Sequence, residues 1–289
     1  VLNLKKKEDF FAFARERYKI FLKKQTEPWP WTTDPVLQEF RFCNVFREDD
    51  TTTVWFRENL REPLKSQLGV VFATVAFRWF NRIETGAVLK PLLLDWQHWS
   101  EARAEAALTR HKQQNNCPLF TGAYVIKSPD GKSKLKGILD CITYFHAHFP
   151  EELGGKQESL EDTHRRLMGF PYLGRFMAYE VVTDLRHTAY LEHAEDTNSW
   201  ASAGPGCARG LGWVYADKPD VWNYNSRPQQ TAMLGVMREL LNMSREQHHW
   251  PRHWPQWEMR EVEHVLCEYD KYRRAQAGER LKRRYIVKG

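Results

Sequence analysis

Ala203-Gly204-Pro205-Gly206-Cys207-Ala208-Arg209-Gly210 is a tight turn that opens onto a helix. The glycines permit positive torsions and close backbone approach, Pro205 fixes one torsion at the start of the helical run, and small residues with one cation follow. Two readings suit the octet. It joins one helix to the next, or the N–H groups of its first turn, the partial positive charge of the helix end and the planar donor Arg209 together cradle a phosphate. Either way the chain is helical here, and the helical signal spreads outward in both directions.

Downstream, residues 229–241 and 257–278 read as helices; upstream, residues 160–168 and 175–191 do, joined by Gly169-Phe170-Pro171-Tyr172-Leu173-Gly174. Residues 8–24 place Phe10, Phe11, Ala14, Tyr18, Phe21 and Leu22 at spacings of three and four, with Lys and Arg on the other face. Asp34-Pro35 caps a second helix expected to run through Val36, Phe40 and Val45, and Thr51-Thr52-Thr53 starts a third. Residues 68–83 are apolar enough for a central helix, and residues 96–114 suit an exposed one. The β signal lies in residues 120–135, where Tyr124, Val125 and Ile126 precede the turn sequence Ser128-Pro129-Asp130-Gly131-Lys132. The expected fold class is therefore mainly α, a single helical domain over residues 1–289 with a small β-hairpin insertion and a basic C-terminal segment, 269–289. A division near residues 115–118 is the alternative.

The chain of 289 residues is 42% apolar and 28% charged, which suits a folded globular protein rather than a disordered one. The first seven residues are lysine-rich and no run approaches the length of a membrane span, so a cytoplasmic location is expected, the host cytoplasm if the chain is phage-encoded. Five cysteines without a Cys-x-x-Cys pair point to neither a disulfide framework nor a zinc ribbon. The net charge of +6 is concentrated: residues 269–289 carry eight cations against two anions, and the remainder is balanced. Such a segment suits docking on nucleic acid, or else is a solvated basic tail. Twelve tryptophans include Trp29 and Trp31 beside prolines and Trp250, Trp254 and Trp257 in a second proline-rich stretch. They either stack on bases or cover a helical core.

Three stretches combine polar residues in patterns suited to chemistry. In Arg41-Phe42-Cys43-Asn44-Val45-Phe46-Arg47-Glu48-Asp49-Asp50, Asn44 and Arg47 are three apart and on one helical face could grip an oxyanion, while the acidic run could hold Mg2+ or cap the next helix. In Arg175-Phe176-Met177-Ala178-Tyr179-Glu180-Val181-Val182-Thr183-Asp184-Leu185-Arg186, Glu180 and Asp184 share a face, as an acid–base pair or as partners of arginines. In Glu261-Val262-Glu263-His264-Val265-Leu266-Cys267-Glu268-Tyr269-Asp270-Lys271-Tyr272, Glu261, His264 and Glu268 fall on one face and Glu263, Cys267 and Asp270 on another. Glu-x-x-His, the helix signature of di-iron bundles, occurs here and at Glu161/His164 and Glu246/His249, and His248, His249 and His253 form a weak zinc pattern. No metal site is assigned from these. The chain contains no Gly-x-x-x-x-Gly-Lys-Ser/Thr phosphate loop, Gly-x-Gly-x-x-Gly fingerprint or Gly-x-Ser-x-Gly elbow.

Taken in order, Phe40 to Arg47, Phe176 to Leu185, Gly204 to Leu211 and Glu261 to Tyr272 resemble the motif series of the alpha-glutamyl/putrescinyl thymine pyrophosphorylases, the amino acid:DNA transferases of phage thymine hypermodification. The resemblance implies a helical fold related to helix-hairpin-helix DNA glycosylases. It implies DNA carrying 5-(pyrophosphoryloxymethyl)uracil as substrate, an amino acid or polyamine as co-substrate, and a base flipped out of the duplex. Where the family often has a second cation the chain has Ala208, and where it often has an Asp-Arg pair Asp50 is followed by Thr51. Pyrophosphate departure calls for N–H donors, cations and, in some enzymes, Mg2+; Asn44, Arg47, Gly204, Pro205, Gly206, Arg209 and Lys271 are the candidates. The amine must lose a proton, with Asp184, Glu263, His264 and Asp270 as candidate acceptors. A helix-hairpin-helix glycosylase and a non-catalytic DNA-binding helical module are the alternatives.

Overall fold

The computed structural model describes residues 4–155 and 159–285. Twelve α-helices follow in chain order among them: α1 (Lys7–Lys23), α2 (Pro35–Glu39), α3 (Thr51–Phe56), α4 (Gln67–Phe80), α5 (Ile83–Leu94), α6 (Glu101–Asn115), α7 (Lys134–Leu153), α8 (Leu160–Leu167), α9 (Arg175–Leu185), α10 (Pro205–Ala216), α11 (Arg227–Met243) and α12 (Met259–Gln276). The fold is mainly helical, and no strand occurs among the described residues; Phe40 and Arg284 form an isolated antiparallel bridge.

Three sequence expectations are corrected. The hairpin does not form: residues 117–133 are an irregular loop in which Ile126 is buried and Val125 is 84% exposed. The turn residues there serve a helix start instead, since Ser133 accepts the Lys136 N–H and caps α7. Ile138, Leu139, Ile142, Phe145, Phe149 and Leu153 then bury a helical stripe that the hairpin reading hid. The helix opened by Asp34 lasts five residues, because Phe40 turns extended and its neighbours bond the C-terminal segment, Arg41 N–H to Arg283 O and Tyr285 N–H to Glu39 O. Phe40 and Phe42, two apart and both buried, fit an extended chain. The division at residues 115–118 is absent; the chain separates elsewhere into two compact units.

Unit 1 comprises the described residues of Val1–Asp50 and Thr197–Gly289, hence α1, α2 and α10–α12. Its core joins Phe10 and Phe11 of α1 to Trp250, Trp257 and Tyr269, with Phe10 edge-on to Trp257 at 6.0 Å and to Tyr269 at 5.7 Å. Trp250 and Trp257 are therefore core residues rather than base-stacking ones, while Trp29 stays 40% exposed. α10 lies directly on α12. A Cβ on Gly210 would stand 2.0 Å from Leu266 O and one on Gly206 2.4 Å from Cys267 Sγ, so these glycines set the approach of the two backbones.

Unit 2, Thr51–Asp196, is built round α4, which is buried from Gly69 to Phe80 and apolar on all sides, as a central helix must be. Ser66 caps it by accepting the Gly69 N–H, and Asn81 ends it at φ 45°, separating α5 from what the sequence reading treated as one helix to residue 83. α5, α7 and α9 pack on α4.

Candidate active site

Three of the four motif stretches converge in unit 1, although they lie far apart in the sequence. α12 carries one of them. The segment 40–46 runs beside it, where Cys43 N–H donates to Glu268 Oε2 (2.9 Å) and the His264 ring nitrogen Nε2 lies 3.1 Å from Asn44 O. α10 brings the third through the Gly206–Cys267 approach and the Arg209–Asp270 ion pair (3.1 Å).

The segment 40–46 ends in a turn, so Asn44 and Arg47 do not share a helical face as the sequence reading supposed. Asn44 lies in irregular backbone outside any helix and Arg47 opens a single 3-10 turn, Arg47–Asp49. The turn nonetheless directs Asp50 back onto the segment, where its Oδ1 accepts Asn44 N–H at 3.2 Å, while Asn44 Nδ2 donates to Asp49 O. Asp50 thereby faces Cys43 and His264, with one ligand atom from each within 4.8 Å of the others.

Electrostatics there disfavour every charge. Burial, reinforced by Arg260, Arg47 and Lys271, holds His264 well below the usual imidazole range, so the ring is neutral at pH 7. Its Nε2 carries the proton given to Asn44 O, and the lone pair is left on Nδ1. The Glu268 carboxylate and burial push the Cys43 thiol far up, and burial raises Asp50. Burial also raises Glu261 to about 7. Glu261 nevertheless has a structural duty: with Glu258 it forms the capping box of α12.

The other expected site residues divide between exposed and occupied. No side chain caps the N-terminus of α10 at Gly204 and Pro205, a backbone arrangement able to receive an anion. Arg209 donates to Asp270 and to Asp220 and is 37% exposed. Asp270 itself is buried and accepts from Arg209, Trp213 and Arg274, each at 3.1 Å. Lys271 pairs with Glu268 at 3.1 Å and lies over the Phe42 ring. Glu263 is half-buried and acts on Cys267, whose sulfur abuts Gly206, so it stands close to the start of α10.

The basic segment is largely structural where it is described. Arg273 pairs with Asp217, Arg274 with Asp270 and Glu279, and Arg284 with Glu39. Lys288 lies outside the described residues.

Asp184 belongs to unit 2, where Arg78 grips it with two N–H groups and both side chains are buried. This partner arginine comes from α4, which the sequence reading did not name. The three Glu-x-x-His pairs do not assemble: His164 is buried with Nε2 2.9 Å from Arg175 O, and His249 is buried against Glu8 and Glu246. Sequence reasoning did not single out Cys43, Arg260 or Arg78. The first two matter through a loop-to-helix contact that has no local signature, and Arg78 sits in an otherwise apolar helix, which was the available signal.

The family model for the helical domain of 5-hmdU DNA kinase matches residues 5–282, and the chain belongs to that family. The "5-hmdU DNA kinase" of Bacillus phage SP10 is 28% identical over 229 residues, covering 72% of this chain and 36% of the phage protein. The chain thus spans little over a third of that relative. No solved structure matches. No helix among the described residues is long and apolar enough to cross a membrane.

Proposed function

We propose that this chain modifies hydroxymethyluracil-derived bases in DNA, as a transferase that displaces pyrophosphate from 5-(pyrophosphoryloxymethyl)uracil with the amine of an amino acid or polyamine. The carrying observation is the meeting of segment 40–47, the start of α10 and α12 in unit 1. These are three stretches of the motif series, and only their tertiary contact makes a single locus of them. Family membership supports the pathway, since the relative's name places it on 5-hydroxymethyldeoxyuridine in DNA. The chain carries no nucleotide phosphate loop, which suits a domain that uses or holds a phosphorylated base more than one that binds the phosphoryl donor.

In this reading the bond from the base methylene to the pyrophosphate oxygen breaks, a bond from the methylene to nitrogen forms, and the amine proton passes to the protein. The uncapped start of α10, Arg209, Arg47 and Lys271 stabilise the leaving group's growing negative charge. Glu263 and neutral His264 are the proposed proton acceptors, while Asp184, paired with the buried Arg78, and Asp270, paired with the part-exposed Arg209 and Arg274, are assigned to holding the fold. The C5 methylene of a paired base already faces the major groove, and extruding the base into a pocket would further exclude water and align the methylene for displacement, which is where the expected kinship with helix-hairpin-helix glycosylases belongs.

A second reading has a specific support in the coverage of the relative. A domain amounting to 36% of a kinase could hold the modified strand for chemistry performed elsewhere. Incubation with DNA containing 5-(pyrophosphoryloxymethyl)uracil and a mixture of amines, followed by nucleoside mass analysis, separates the two. A nucleoside carrying the amine, with released pyrophosphate, supports the transferase. Tight binding with unchanged base supports the holding domain, and free base with abasic DNA supports a glycosylase; either result overturns the transferase reading.

A further inference from the structure

Cys43, Asp50 and His264 come from the segment 40–46, the turn that follows it and α12, and one ligand atom from each lies within 4.8 Å of the other two. None of the three potential donors has another partner. Cys43 is a free thiol with no hydrogen bond at sulfur, Asp50 accepts from Asn44 N–H through Oδ1 and leaves Oδ2 open, and His264 uses Nε2 on Asn44 O. That last bond is the outer contact that fixes the tautomer of a metal-binding histidine and frees the other nitrogen. Beside the cluster lies a cavity of about 10 Å³, the size of a single water, lined by Cys43, Asn44, His264 and Glu268 and also by Arg17, with Asp50 outside its lining.

The geometry points to a binding site for a divalent transition ion of the Zn2+ class, held by Cys43 sulfur, an Asp50 oxygen and His264 nitrogen with one coordination position open. Sulfur, imidazole and a single carboxylate suit zinc, and not the all-oxygen shell that Mg2+ prefers. The cations around the cluster oppose a bare divalent ion, so binding depends on the ion displacing the thiol proton. Arg47, Arg260 and Lys271 act on this cluster, with Lys271 already paired to Glu268 and Arg260 beside Glu261. A thiolate and a carboxylate cancel the charge of a divalent ion, so the loaded centre is neutral among these cations. On binding, the Cys43 S–H bond breaks, a sulfur–metal bond forms and the proton leaves to solvent. Loading uses the His264 lone pair and so takes His264 out of the proton transfer proposed above.

The test needs no enzymatic activity and so stands or falls apart from that reading. Metal-free full-length protein titrated with Co2+ is expected to bind about one equivalent at this centre and to show thiolate-to-cobalt charge-transfer absorption with tetrahedral d–d bands. Cys43→Ser should remove the charge-transfer band, Asp50→Asn and His264→Gln should weaken binding roughly tenfold or more, and Cys267→Ser should keep the band. The Glu8, His248 and His249 cluster has no sulfur and cannot supply that band. In the wild-type chain, Zn2+ should also protect Cys43 but not Cys117 from alkylation, a readout that holds even if Cys43→Ser fails to fold. A band that survives Cys43→Ser, a band lost with Cys267→Ser, or Cys43 alkylated equally with and without Zn2+ overturns the assignment.

Discussion

Replacing Asp184 tests whether a carboxylate inside a motif stretch does chemistry or holds unit 2 together. Arg78 reaches Asp184 through Nε and through Nη2 (2.8 Å), and gives its remaining donors to Asn81 Oδ1 (2.6 Å) and Thr53 Oγ1 (3.1 Å). The two side chains are 3% and 0% exposed, and the guanidinium also lies over the Phe56 and Phe77 rings. Asp184→Asn leaves a buried guanidinium with no counter-charge, a loss of about 3–5 kcal/mol. With a urea dependence of about 2 kcal/mol per molar, the unfolding midpoint of unit 2 should fall by about 1.5–2.5 M. The paired replacement Arg78→Met with Asp184→Leu removes both charges and should recover all but about 1–2 kcal/mol, giving a large coupling in the double-mutant cycle. Urea unfolding followed by circular dichroism, with hydrogen exchange in α4 and α9 to identify the unit, measures these quantities. An Asp184→Asn protein that keeps the wild-type midpoint yet loses base modification a hundredfold would refute the structural role and return Asp184 to the chemistry.

Three further expectations follow from the packing and the charges. His164 in unit 2 is buried and held neutral, down to about 4, so folding disfavours its protonated form. Its contribution is present above the unfolded value of 6.5 and is lost as pH falls from there towards 4, by about 3 kcal/mol in full. His164→Gln should flatten the acid limb of the stability curve, and an unchanged limb would remove His164 as its cause. Gly210→Ala drives a methyl into Leu266 O and should cost about 3 kcal/mol or more, whereas Gly235→Ala in α11, with open space around it, should gain about 0.5–1 kcal/mol; equal thermal shifts would refute the close α10–α12 approach. Arg209→Ala leaves Asp270 two donors and should leave the protein folded while weakening its hold on phosphorylated DNA, whereas Asp270→Ala should unfold α12's packing; equal melting temperatures would refute that division of labour.

Helices with a one-sided apolar stripe were legible from residue spacing, as α1, α8, α11 and α12 show, because amphipathic periodicity is a local property. The motif order led to a resemblance to the amino acid:DNA transferases, whereas the family matched over residues 5–282 is that of the helical domain of 5-hmdU DNA kinase, which keeps the link to modified thymine but names a kinase and not an amine transferase. Less legible were the places where a local pattern serves a distant partner. Residues 128–133 have the composition of a hairpin turn, and what decides between that and the start of α7 is whether an apolar helical face downstream finds a core to enter. Phe40 could be wound or extended by propensity alone; the backbone bonds of its neighbours Glu39 and Arg41 to Tyr285 and Arg283 decide for extended.

By itself, then, the sequence determined that the chain is mainly helical, that a glycine-proline turn opens the helix after residue 204, and in which order the motif stretches run. Only the tertiary structure decided which polar residues hold the fold and which remain open to a ligand. Asp184 and Asp270 look as reactive as His264 along the chain, but Arg78 of α4 occupies the first and Arg209 of α10 with Arg274 of α12 the second, while one ligand atom each of Cys43, Asp50 and His264 come within 4.8 Å of one another. The physical reason is range. Helical period and turn chemistry act over a few residues, whereas the burial, charge pairing and convergence that give a carboxylate or a thiol its role depend on side chains that meet only once the units have packed.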